Sequence, residues 1–207
     1  LIKKEAERQL SLIAIKDELS KRNVEVSDPV KADRFFSDLK KGPIARVIKK
    51  GGAVSALKLS GFAGILGRQL CPGRTFGREL ADHAKAYDIG GIIHTDEDLA
   101  SAGLEENFRG LGEHLLAGGE DAVLIMAGDP EAVDRAMKAV RERTLWATKG
   151  LPEETREPNT DYTTSYKRPL PRSSRMYPET DIPPIPISRD RVEEIRKLLP
   201  EKPEVKR

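Results

Sequence analysis

The sequence predicts an α+β protein organised around one compact unit, residues 30–150, in which a few strands lie under two or three helices. Three observations carry this. Short apolar runs bounded by glycine alternate with longer stretches of helical period. Ten of the fourteen prolines fall at or after Pro152, so the chain changes character there. Charged residues make up 34% of the 207, against 38% hydrophobic and 5% aromatic, a core-poor balance that suits charged helices and polar linkers.

The elements follow in order. Residues 2–22 read as an amphipathic helix, with Ala6, Leu10, Ile13 and Leu19 near helical spacing. Asp28-Pro29 breaks the pattern. Pro43 opens a short helix that Gly51-Gly52 ends. Residues 53–59 read as a strand through Val54, Leu57 and Leu59. Five glycines (61, 64, 67, 73 and 77) punctuate the next loop, and Thr75 caps a helix running to about Tyr87. Residues 89–94 form a second strand ahead of the acidic turn Asp96-Glu97-Asp98. Residues 105–117 are helical, and residues 122–127 (Ala-Val-Leu-Ile-Met-Ala) are the clearest buried strand. Gly128-Asp129-Pro130 then starts a helix with Val133, Met137 and Val140 on one face. From Leu151 to about Ser188 the chain runs extended, and a last amphipathic helix (Val192, Ile195, Leu198, Leu199) ends at Pro200. The outer segments, 1–29 and 151–207, read as the two cut ends of a parent domain that receives the compact unit. The first residue, Leu1, lies inside a helical pattern, which reads as a piece of something longer.

The formal net charge of +2 averages over a strong asymmetry. Residues 39–78 hold nine Lys or Arg and no acid, whereas residues 79–134 hold fourteen acids against Lys85 and Arg109. Such a split suits a polyanion-facing surface backed by an acidic one, and equally two solvated faces that pair with each other. Arg68, Arg74 and Arg78 flank the glycine loop with no acid nearby in the sequence before Glu79, which suits a grip on RNA phosphates. One cysteine excludes an internal disulfide and fits a reducing cytoplasm, and no apolar run approaches membrane-spanning length.

Gly61-Phe-Ala-Gly64-Ile-Leu-Gly67 matches neither phosphate-loop pattern and reads as tight turns with close backbone packing. His94 with Asp96, Glu97 and Asp98 reads as a strand end followed by a capping turn rather than a metal site, Cys71 as a small packed side chain, and His83 as structural. The greatest chemical interest lies in Arg175-Met-Tyr-Pro-Glu-Thr-Asp-Ile-Pro-Pro-Ile-Pro186. Its four prolines exclude helix and central strand, so a rigid extended backbone displays Arg175, Tyr177, Glu179 and Asp181. In a β-like chain Glu179 and Asp181 face one side and can address one Mg²⁺ or ammonium-like group; in polyproline II they diverge and only one serves. The competing use is an ion pair from Arg175 that anchors the tail. Lys167, Arg168, Arg172 and Arg175, interleaved with Tyr166 and Tyr177, can hold the phosphates or a stacked base of an RNA, or stand as solvated linker charge.

The order Arg-x-Tyr-Pro-Glu-x-Asp-x-Pro-Pro, preceded by Thr163-Thr-Ser-Tyr-Lys-Arg-Pro169, resembles the glutamyl-tRNA(Gln) amidotransferase family, closest to its archaeal E-type subunit. Gly61-Phe-Ala-Gly-Ile-Leu-Gly-Arg68, Gly73-Arg74, Gly77-Arg-Glu-Leu-Ala-Asp-His83 and Gly90-Gly-Ile-Ile-His-Thr-Asp-Glu97 resemble the insertion (GAD) domain that the E-type subunit shares with bacterial-type aspartyl-tRNA synthetases. The resemblance implies a two-layer α+β module with a mainly antiparallel sheet and helices on one face, set into a cradle domain. It divides the chain into a helical end of the cradle (1–29), the insertion domain (30–150), an extended Pro-rich return (151–188) and a C-terminal helix and tail (189–207). It further implies a role in converting Glu-tRNA(Gln) to Gln-tRNA(Gln) with ATP and Mg²⁺. Ammonia comes from the D-type amidotransferase subunit, a glutaminase/asparaginase-like partner, in a heterotetramer of two D and two E subunits. On this reading Arg175, Glu179 and Asp181 lie at the catalytic rim, with both carboxylates as metal ligands, and Arg68, Arg74, Arg78, Lys167, Arg168 and Arg172 contact RNA. The cradle's N-terminal His and Glu metal ligands are absent from this sequence, so the chain is expected to be inactive alone. The alternative is a scaffold or RNA-binding accessory without catalysis.

Overall fold

The computed structural model describes residues 1–170 and 186–199, which fall into two units, Leu1–Leu170 and Pro171–Arg207. The first opens with helix α1 (Ile2–Leu19), whose buried stripe is Arg8, Leu12, Ile15 and Leu19, while Leu10 and Ile13 are exposed. The stripe expected through Ala6, Leu10 and Ile13 is therefore rotated from the real one. The true stripe begins with an arginine, a residue that enters a core only when carboxylates meet it.

Strands β1 (Glu25–Val26) and β2 (Val30–Lys31) run antiparallel to the same edge of β3 (Ala53–Ser60). Pro29 lies between them and cannot donate to the ladder. Helices α2 (Asp33–Phe36) and α3 (Pro43–Lys49) precede β3, and Gly51 closes α3 at φ 79°. A small hairpin of β4 (Gln69–Cys71) and β5 (Arg74–Thr75) leads into α4 (Phe76–Lys85), where Thr75 Oγ1 accepts from the Arg78 N–H at 3.2 Å. Next come β6 (Ile93–His94), α5 (Glu105–His114), β7 (Ala122–Gly128) and α6 (Pro130–Trp146), the last capped by Asp129. The strand expected over 89–94 pairs only at its last two residues, because the preceding glycines weaken it. Beyond residue 150 the extended chain is paired: β8 (Glu154–Pro158) and β9 (Thr164–Pro169) form an antiparallel hairpin.

β3 and β7 pair antiparallel from Ala53↔Gly128 to Leu59↔Ala122 and form the centre of a five-stranded antiparallel sheet. The α+β class and the antiparallel sheet match expectation. The covering does not: helices lie on both faces. Leu57, Leu59, Ala122, Leu124 and Met126 join one apolar cluster with residues of α1, α4 and α6. Val54, Ala56, Val123 and Ile125 join a second cluster with Phe36 of α2, Ile44 of α3 and Phe108 and Leu111 of α5. Alternate residues point to opposite faces, so a strand buried on both reads as one continuous apolar run. Packing also continues across the expected boundary near residue 30, since Leu12, Ile15 and Leu19 belong to the first cluster.

The second unit, described by itself, contains helix α7 (Arg189–Leu198) with Ser188 Oγ accepting from the Arg191 N–H at 3.2 Å. Val192, Ile195 and Leu198 lie on it and are exposed. Among the described residues, no helix is long and apolar enough to cross a membrane.

Candidate nucleic-acid interface

The glycine loop after β3 is held by a carboxylate from the acidic turn. Asp96 Oδ1 accepts from the Gly64 N–H at 3.1 Å and Asp96 Oδ2 from the Gly67 N–H at 3.0 Å. The two motifs are thus halves of one device, and Asp96 is satisfied by protein rather than aimed at a metal. The fit is close at Gly77, where an added Cβ would stand 2.3 Å from His94 Nε2. His94 is buried, with Nε2 3.2 Å from Glu97 Oε1, and burial pushes its pKa below the ordinary value against the pull of Asp96. Among the described residues no three His, Cys, Asp or Glu side chains group as a metal site. Cys71 is buried, and desolvation raises its thiol pKa, in keeping with a packed side chain.

The three arginines around this loop have different fates. Arg68 extends to α1, its Nη2 2.5 Å from Glu18 Oε2, with about a third of its side chain exposed (35%). Arg78 is exposed on the first turn of α4 and lines a cleft with Thr75, Gly77, Ala81, Lys85 and Glu97. Arg74 corrects the expectation: it is buried at 3%, with Nε 3.0 Å from Glu79 Oε2 and Nη2 paired with Asp82. Its Nε and Nη2 are spent on carboxylates of α4 and the side chain is buried, so it is not displayed to a phosphate.

Arg74 belongs to a buried cluster centred on Glu79, whose side chain is fully inaccessible. Arg8 Nη1 of α1 lies 2.5 Å from Glu79 Oε1, and Arg156 of β8 donates to both carboxylate oxygens at 2.8 and 3.0 Å. Arg143 of α6 stands 3.7 Å away with its guanidinium over the Phe76 ring. Glu5, Asp82 and Glu154 complete the balance, four acids against four guanidiniums, through pairs with Arg8, Arg74 and Arg156. Burial alone would push Glu79 up, but Arg8, Arg156, Arg143 and Arg74 override it and hold the carboxyl down at about 2. His83 adds a contact between α4 and the hairpin, stacked on Tyr166 with ring centroids 3.8 Å apart, and burial pushes its pKa down. The centre of this cluster is closed to solvent, with only Glu5 partly exposed at its edge, and it serves cohesion. Sequence reading missed it, although Arg8, Glu79 and Arg143 each occupy a core-facing position of a helix.

On the hairpin, Lys167 is exposed and pairs with Glu157, and Arg168 is exposed. Arg172, Arg175, Tyr177, Glu179 and Asp181 lie outside the described residues. The structure therefore brings together Arg68 and Arg78 near one loop and Lys167 and Arg168 on one strand, and removes Arg74 from the set.

Comparison with known proteins puts these features in a family context. Residues 44–137 match the GAD domain family model, the span from α3 to the middle of α6 that contains the glycine loop, the Asp96 contact and Glu79. The chain is 46% identical over 209 residues to the E-type glutamyl-tRNA(Gln) amidotransferase subunit of Methanopyrus kandleri, covering 98% of the chain and 32% of that protein. The same E-type subunits of Methanocaldococcus jannaschii and Pyrococcus abyssi are 47% and 45% identical, each over 100% of the chain and 33% of their own length. The chain thus spans about one third of the curated relatives it matches. Residues 44–137 thus match the GAD domain, and almost the whole chain is similar to about one third of the E-type glutamyl-tRNA(Gln) amidotransferase subunits.

Proposed function

We propose that the chain works as the GAD-bearing part of a tRNA-dependent amidotransferase that converts Glu-tRNA(Gln) to Gln-tRNA(Gln). The observation that carries this reading is the 46% identity over 98% of the chain to a glutamyl-tRNA(Gln) amidotransferase subunit. In this reaction the γ-carboxylate of tRNA-bound glutamate is activated with ATP and Mg²⁺, and ammonia supplied by a D-type partner subunit then displaces phosphate. Glu179 and Asp181 have the hard oxygen donors that Mg²⁺ takes, and Arg175 has the fork that fits a phosphate. These three are assigned to the catalytic rim, with Arg68, Arg78, Lys167, Arg168 and Arg172 as RNA contacts. The assembly is assigned two D and two E subunits and a cytoplasmic setting. The chain alone has no amidation activity on this reading.

The test is amidation of Glu-tRNA(Gln) by the full-length E-type protein containing this chain, together with its D-type partner. Glu179→Gln and Asp181→Asn are each expected to lower kcat by about 10²-fold or more while glutamine hydrolysis by the partner continues. Unchanged amidation in both variants would remove the two carboxylates from the site. Failure of the wild-type pair to amidate would overturn the reading.

A further inference from the structure

Residues 90–92 form a bare strap between two clefts. On one side lies a groove of about 330 Å³ walled by Pro43, Ile44 and Val47 of α3 and by Ile125 and Ala127 of β7. On the other lies a cleft of about 320 Å³ with Arg78, Lys85 and Glu97. Gly90, Gly91 and Ile92 line both, so the two hollows form one continuous surface. A Cβ at Gly90 would meet nothing within 4 Å, and no left-handed φ demands glycine there. Packing and backbone conformation do not demand that glycine, and its bare backbone leaves room for another molecule to approach closely.

The rim of this surface is cationic. Lys40, Lys41, Arg46, Lys49 and Lys50 are all exposed on and beside α3. Two of them donate to carbonyls, Lys49 to Lys40 O at 3.3 Å and Arg46 to Gly42 O at 3.4 Å. Lys41 lines a hollow that shares Pro43, Ile44 and Ile93 with the groove, and Lys50 lines one that shares Val47. The helix dipole accounts for Arg46 and Lys49 in the last turn of α3, but not for Lys40 and Lys41 ahead of it. Across the strap, Arg78 is exposed, Lys85 shares Asp82 at 3.4 Å, and the carboxylate Glu97 is held near His94 Nε2.

We propose that this strap and its two clefts seat single-stranded RNA, with phosphates on the α3 cations and Arg78 and one unstacked base in the apolar groove. The choice of RNA rests on the tRNA-dependent function proposed above; the location rests on the geometry alone. Exposed cations around an apolar slot complement a chain of phosphates and bases, and the glycine strap lets a sugar–phosphate backbone approach closely.

The test uses the 207-residue chain with fluorescent tRNA and fluorescent oligouridylate, followed by anisotropy over a salt series. The chain is expected to bind both, more weakly as salt rises. Gly90→Leu adds bulk to the strap at a position where a Cβ meets nothing within 4 Å, so binding should weaken about tenfold, with a near-unchanged melting temperature as the check that the fold is kept. Lys41→Ala with Lys50→Ala should reduce the slope of log K against log salt by about two, whereas Arg109→Ala on α5 should not change it. RNA binding that is unaffected by either variant would overturn the site and leave the RNA reading standing. Absence of binding at low salt would overturn both, as would capture of an acidic peptide by the groove without RNA binding. Amidation by the full-length protein is measured separately, so neither result is confused with failure of the parent function.

Discussion

Arg74 and Arg78 are four residues apart and belong to the same acid-free run, yet one is sealed among carboxylates and the other faces solvent. The contrast extends to their surroundings. Around Glu79, guanidiniums from four elements converge on one buried carboxylate. Around α3, exposed cations spread over a surface where Arg46 and Lys49 find carbonyls rather than carboxylates. Identical residue chemistry holds the fold together in one place and leaves charge available for a partner in the other. Burial decides which, because a charge removed from water must be met inside, whereas an exposed charge need not be.

The sharpest way to break this comparison is to remove the centre of the buried cluster. Glu79→Ala leaves Arg8, Arg74, Arg143 and Arg156 without their common partner. A loss of about 3–5 kcal/mol is expected in urea unfolding, enough to unfold a marginal domain. Acid should probe the same group without mutation. The Glu79 carboxyl is held at about 2 against an ordinary 4.5, so its contribution is fully present above pH 4.5 and is lost as pH falls towards 2. That difference corresponds to about 3 kcal/mol at most. His83 and His94, both held below 6.5, take up protons more readily when unfolded, so stability should begin to decline as pH drops under 6.5. A melting temperature flat from pH 7 to pH 3 would contradict both assignments.

A smaller effect is expected at Gly77→Ala, about 1–3 kcal/mol, since the new methyl must displace His94. If the clash is with His94 itself, His94→Ala should recover part of the loss in a double-mutant cycle. Arg78→Ala should change stability by no more than about 0.5 kcal/mol. Arg74→Ala, by contrast, strands Asp82 and part of Glu79. Equal stabilities of these two arginine variants would erase the contrast between them.

Local chemistry was readable in the sequence wherever it acts within a few residues. Thr75 and Asp129 cap the helices expected of them, Pro43 starts α3, and the run from Ala122 is a buried strand. What escaped depends on distance. The second helical layer was hidden because residues 122–127 look the same whether one face or two are covered. The Asp96 contact joins residues 29 and 32 apart, and the Glu79–Arg156 pair spans 77. One signal was nevertheless present: Arg8 and Arg143 each interrupt a mostly apolar helix face, Glu79 sits between Phe76 and Leu80 on another, and charges so placed imply one another. The residues assigned to catalysis were legible only as a motif, and they fall in 171–185, outside the described residues.

The Glu79 cluster also bears on synthesis. Its partners enter the growing chain in the order Arg8, Arg74, Arg143, Arg156, so the carboxylate lacks its full complement until the eighth strand has left the ribosome. Until then Glu79 lacks both hydrogen bonds from Arg156, and Thr164 has yet to close on Glu5 across 159 residues. Completion is therefore tied to the emergence of the hairpin: a nascent chain stalled before Arg156 would stay open to chaperones and proteases, and one that passes it can lock.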